Sequence, residues 1–114
     1  MKRQKSVTRV FVIVWLSAFV TLADDNIGVI HGANGVNIIP VGVDEKAYDE
    51  FTKAIVNHDK EGMDELVSTG RVFVVQDGTR VRILDRGVFT TEVRVLGGPH
   101  EGQRGIVSSS LITF

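Results

Sequence analysis

Residues 71–85, RVFVVQDGTRVRILD, decide the fold. Across this stretch the apolar residues alternate with a period of two, as a strand requires. Val72 and Val74 alternate with Phe73 and Val75, then Val81 and Ile83 oppose Arg80 and Arg82. Between the two runs stands Asp77-Gly78, which predicts a two-residue hairpin turn. The alternation continues downstream. Arg86-Gly87 marks a turn or loop, 89–96 (FTTEVRVL) is rich in β-branched residues, and Gly97-Gly98-Pro99 ends it. Residues 104–107 (RGIV) and 111–114 (LITF) read as short final strands separated by three serines. Short strands with regular turns predict an antiparallel sheet curled into a small barrel.

Upstream of Arg71 the period is different. Residues 44–59 (DEKAYDEFTKAIVNHD) lack glycine and proline, and Ala47, Tyr48, Phe51, Ala54 and Ile55 share one helical face. Asp44 is placed to cap this helix, with Glu45 in its first turn. Asp59 is placed to cap a shorter helix over 60–68, with Met63, Leu66 and Val67 inward and Gly70 as its terminator. The 44–70 helical segment cannot bury its apolar face alone, so it is expected to pack on the 71–114 barrel. The fold class is therefore α+β.

Residues 24–43 (DDNIGVIHGANGVNIIPVGV) hold four glycines and Pro40. They read as a flexible or irregular segment with one short extended piece around Val36–Ile39. Before them lies a targeting pattern. Lys2, Arg3, Lys5 and Arg9 precede an apolar run from Val10 to Ala23, and Asp24-Asp25 follows. A basic start, a short apolar middle and a small residue at the end predict a signal peptide over 1–23 and an exported, periplasmic or secreted protein. The alternative is an uncleaved membrane anchor, which would be the chain's only membrane contact. The 14-residue run falls short of the roughly 18–20 residues that cross a bilayer.

Cleavage after Ala23 would leave nine basic and 14 acidic side chains and remove Trp15, the only tryptophan. A chain of 91 residues holds one small domain. The absence of cysteine excludes thiol catalysis, thiolate metal sites and disulfides. The acidic balance and few aromatics speak against nucleic acid as a partner. His31, His58 and His100 show no metal-ligand spacing, and Ser108-Ser109-Ser110 lacks a nucleophile-elbow setting. No cofactor and no catalytic site are expected.

Three motifs resemble a bacterial SH3-like (SH3b-type) domain over residues 72–114. They are Gly78-Thr79-x-Val81-x-Ile83-Leu84, Val93-Arg94-Val95-Leu96, and Gly102-x-x-Gly105-x-Val107 followed by Leu111. The helix leading into Gly70-Arg71-Val72-Phe73 is similar to that of small exported bacterial proteins of unknown function, which pair such a helix with this barrel. The resemblance implies a five-stranded barrel and an envelope partner, a protein or cell-wall component. The family usually places an exposed tryptophan after the motif's second glycine, where this chain has Ile106.

Candidate binding residues follow from aromatics and charge. Phe89 is the aromatic best placed for exposure, although burial preference favours a role closing the barrel core. Residues 44–70 carry eight acids against three lysines, whereas 71–114 carry six arginines against four acids. Arg80, Arg82 and Arg94 fall on outward strand positions, and His100 and Arg104 on the last long loop and its exit. Arginine suits recognition of carboxylate or phosphate. The competing reading is a solvated face, or pairing with the acidic helix of the same chain. The expected function is a non-catalytic interaction module acting through the loops at 89–92 and 98–104. The alternative is a structural protein that docks a partner through its acidic helix.

Overall fold

The structure is a computed structural model that describes residues 26–114. The expected signal peptide lies outside the described residues. Among the described residues, two helices pack on a curled antiparallel sheet of seven strands. The strands are β1 (Ile27–Ile30), β2 (Ile38–Gly42), β3 (Val72–Gln76), β4 (Thr79–Arg86), β5 (Thr90–Val95), β6 (Arg104–Ser108) and β7 (Ile112–Thr113). Their order across the sheet is β3-β2-β6-β5-β4-β1-β7. Helices α1 (Glu45–Val56) and α2 (Lys60–Ser68) lie between β2 and β3 in sequence. Among the described residues no helix is long and apolar enough to cross a membrane.

The expectation of five strands is corrected to seven. The additional two, β1 and β2, come from the stretch read as flexible or irregular. Ile30, Ile39 and Val41 from that stretch are fully buried in the core. Each such side chain contributes about 1.5–3 kcal/mol when buried, which outweighs the local cost of nearby glycines. Pro40 fits inside β2 because of register. The Asp77 N–H donates to Asn37 O at 2.9 Å and the Val43 N–H to Arg71 O at 2.9 Å. Hydrogen-bonded pairs between β2 and β3 therefore fall on the odd-numbered residues of both strands. Pro40, opposite Val74, needs no amide hydrogen for this ladder.

Asp77-Gly78 does not make a hairpin. β3 pairs with β2, and β4 pairs with β5 and β1, with no ladder between β3 and β4. The chain instead turns a corner at Gly78, whose φ is +89°. It leaves one strand pair and enters another: β2 runs beside β3, and β1 beside β4. The Gly78 N–H donates to Ile30 O at 2.7 Å, so both long segments bend together and the sheet curls into a half-barrel. Inside the curl lie Ile30, Ile39, Val41, Phe73, Val75, Val81, Val93, Val95, Val107 and Ile112.

The helix ends follow their sequence cues. Asp44 Oδ1 accepts the Ala47 N–H at 2.8 Å, and Asp59 Oδ1 accepts the Gly62 N–H at 2.9 Å. Gly70 ends α2 with φ +78°. The buried face of the helices is narrower than the apolar pattern. Ala47, Ala54 and Leu66 are buried, Tyr48, Phe51 and Met63 are half-buried, and Ile55 and Val67 are exposed. α1 rests directly on β2: a Cβ on Gly42 would stand 2.7 Å from the Tyr48 backbone nitrogen. That close approach centres the contact on small residues. Ile55 lies about 100° further round the helix than Ala54 and reaches solvent.

Candidate functional site

Register aligns the arginines. Arg94 lies directly opposite Arg82 on one side and Arg104 on the other, so three arginines form a row across β4, β5 and β6. Opposed residues share a face, with Cβ atoms about 4.5–5.5 Å apart, and like charges there are destabilising. The next row on this outer face is Asp85, Glu92 and Ile106, its register shifted by an irregularity at Leu84. Arg104 Nη2 donates to Glu92 Oε2 at 2.7 Å, which offsets part of the repulsion at one end. Arg94 is exposed, Arg82 is half-buried and has a partner, and Arg80 lies exposed two residues further along β4.

The acidic helix reaches the barrel half at Arg71. Its ion pair to the sheet is Glu50 with Arg71, where Arg71 Nη1 stands 2.6 Å from Oε1 and donates to Oε2 at 3.1 Å. The closer approach is an ionic contact and the longer one the aligned hydrogen bond. Ile106, at the position where the resembled family places an exposed tryptophan, is buried at the α1 end of this face.

Phe89 corrects the burial preference. Val88 and Phe89 form the tip of the β4–β5 connection and are 86% and 84% exposed. The backbone beneath them is tied on both sides. The Ser109 hydroxyl donates to Gly87 O at 2.8 Å, and the Ser109 N–H donates to Phe89 O at 2.9 Å. Having given its proton to Gly87, Ser109 Oγ accepts from Thr91 Oγ1 at 2.7 Å. Beside the tip, the Arg86 guanidinium stands 3.6 Å from the centre of the Phe114 ring. Arg86, Val88, Ser109, Ser110 and Phe114 line one shallow depression. Sequence reasoning named Phe89 but missed Val88, Arg86 and Phe114. Two bulky apolar residues directly after an Arg-Gly turn cue were the available sign.

His100 and Arg80 meet elsewhere. Both line an open cleft of about 500 Å³ between the Asp77-Gly78 corner and the Gly97–Pro99 turn. The His100 ring packs on Phe73 with centroids 4.7 Å apart, and its Nδ1 lies 3.2 Å from Gln103 Oε1. These contacts give His100 a structural setting in the wall of the cleft. The two loops named as contact regions lie at opposite ends of β5. The 87–89 tip precedes β5 and the 96–103 loop follows it, so six extended residues, about 20 Å, separate them.

The chain matches no family model, no curated protein and no solved structure. The arrangement therefore has to be read from its own chemistry. Among the described residues, no group of three or more His, Asp or Glu is placed to hold a metal ion. The acidity of Tyr48 is displaced. Burial raises its pKa above the ordinary 10.0, a hydrogen bond with Ser108 opposes the rise, and Glu45 and Asp49 add to it. It lies on α1 and its hydroxyl meets Ser108 at the end of β6.

Proposed function

We propose that this chain is a non-catalytic interaction module of the cell envelope, exported from the cytoplasm, which holds an envelope protein or cell-wall component. The observation that carries the reading is the Val88–Phe89 tip. Two adjacent bulky apolar side chains stand almost fully in water on a backbone anchored by Ser109. Leaving them exposed forfeits about 1.5–3 kcal/mol of burial each, a cost that a docking partner would recover. Because the backbone is held, little conformational entropy is lost on binding.

The row Arg82, Arg94 and Arg104 supports an acidic partner, since carboxylates would relieve the repulsion within it. The resemblance of 72–114 to a bacterial SH3-like domain belongs to the same reading, and that stretch supplies β3 to β7. The buried Ile106 speaks against the family's aromatic groove, so the contact surface is assigned to the tip and the arginine row.

Cosedimentation with purified cell-wall sacculi, together with capture from the native envelope, tests the proposal. The protein is expected to be retained by the wall or by one envelope protein, and the double variant Val88→Ser, Phe89→Ser to lose about tenfold in retention. No retention by either material would remove the proposal. The second reading, docking through the acidic helix, rests on Ile55 and Val56, which are 48% and 70% exposed on α1. Photo-cross-linking from position 88 against position 56 separates the two.

A further inference from the structure

The Val88–Phe89 tip stands between two recesses of opposite charge, and Gly87 lines both. On one side lie Asp44, Glu45, Asp85 and Glu92. On the other is the depression shared with Ser109, Ser110 and Phe114, where Arg86 supplies the charge. Strand register produces the split. Asp85 is opposite Glu92 and Arg86 is opposite Thr91, so these two neighbours on β4 face opposite ways.

Arg86 is set up to bind an anion. Among the described residues the ion pairs engage His31, Arg71 and Arg104, and none involves Arg86. Its guanidinium carbon stands 3.6 Å from the centre of the Phe114 ring. An edge-on approach at that distance would drive a guanidinium nitrogen into the ring, so the flat face makes the contact. The N–H donors lie in the guanidinium plane and stay free for a ligand. The ring holds the fork in place, which lowers the entropy lost when a carboxylate is bound through two hydrogen bonds.

The form of the tip selects the kind of partner. Val88 and Phe89 are adjacent, bulky and almost fully exposed at the end of a connection. A projecting apolar pair is removed from water by a concave apolar cup, which a folded protein provides and a hydrated wall polymer does not. We infer that the tip plugs an apolar cup on a folded envelope protein, and that an Asp or Glu carboxylate on the rim of that cup is held by Arg86. The inference rests on the tip being the contact surface and names the chemistry of its partner. The acids on the far side of Gly87 repel the same carboxylate, so charge favours one orientation of docking.

Photo-cross-linking of the full chain in its native envelope, with p-benzoylphenylalanine in place of Phe89, tests the inference. The variants are Arg86→Gln, Arg86→Lys and, as a control that removes one charge from α2, Lys60→Gln. The expected cross-link maps to apolar residues of one folded protein with an Asp or Glu beside them. Arg86→Gln should lower its yield about tenfold, the scale of one lost charge-assisted hydrogen bond. Arg86→Lys should recover part of the yield, since it keeps the charge without the fork, and Lys60→Gln should match the wild type. Replacing the mapped carboxylate of the partner by its amide should cause the same loss, and it reads the contact with this chain unaltered. Cross-linking to a wall polymer instead of a protein overturns the inference. So does a yield that neither Arg86→Gln nor the partner's amide variant lowers, an outcome that leaves the tip standing as the contact surface. No cross-link at all from position 89 removes the tip reading and the inference together.

Discussion

The Asp77 carboxylate accepts the Gly32 amide hydrogen at 2.8 Å and so ties the corner of the sheet to the loop beside it. His31 Nδ1 stands 3.6 Å from the same oxygen. Asp77→Ala is expected to destabilise the fold by about 1 kcal/mol, the scale of one partly exposed hydrogen bond. That corresponds to roughly 4–8 °C in melting temperature for a domain of this size. Asp77→Asn keeps an acceptor and should recover most of the loss. Equal melting points for Asp77→Ala and the wild type would show that the corner holds without this tie.

Gly105 lets β6 meet β2. A Cβ there would overlap the Val41 side chain and stand 2.8 Å from Gly42 O, and β6 joins β2 at the neighbouring pair Gly42–Ile106. Gly105→Ala should cost about 1–3 kcal/mol through overpacking, seen as a lower urea midpoint. A midpoint equal to wild type would mean that the two strands separate without penalty.

Arg94 is the centre of the arginine row. Arg94→Ala should leave thermal stability unchanged or raise it by a few tenths of a kcal/mol, because it removes two like-charge oppositions. Binding of an acidic envelope component should weaken in the same variant, and its dependence on salt should become shallower. A large fall in melting temperature would instead assign Arg94 to internal pairing.

Tyr48 gives the fold a limit at alkaline pH. Its folded pKa lies above the unfolded value because burial disfavours the phenolate. The stability it contributes is complete below pH 10 and is lost as pH rises from there through the folded pKa. Wild type should therefore lose stability between pH 10 and the folded pKa, and Tyr48→Phe should lose less over the same range. As Tyr48 is the only tyrosine, the phenolate absorbance reports it directly. A titration with an ordinary midpoint would contradict the burial of this hydroxyl.

Much of the architecture was legible wherever neighbours in sequence settle it. Asp44, Asp59 and Gly70 act as helix boundaries because a capping carboxylate or a left-handed glycine needs only the next three or four residues. The alternation at Val81, Val93 and Val95 is legible for the same reason, since their burial follows from the period of the strand. β1 and the body of β2 were hidden because their glycines and Pro40 read locally as irregular, only the start of β2 falling in the extended piece expected around Val36–Ile39, and their stability comes from pairing with residues 79–82 and 72–76. At the candidate site, the outward arginines were readable one strand at a time. Their alignment and the separation of the two loops were not.

The sequence by itself determined the α+β class, the helix ends, the outward set of Arg80, Arg82 and Arg94, and the absence of thiol chemistry. Only the tertiary structure decided that Asp77-Gly78 is a corner, that Arg94 stands between Arg82 and Arg104, that Phe89 is exposed, and that β3 is left as an edge. The physical reason is range. Capping, turning and alternation are fixed by bonds and sterics within a few residues, whereas register is fixed by which strand satisfies the other side of each backbone. That choice couples positions as far apart as Gly32 and Asp77.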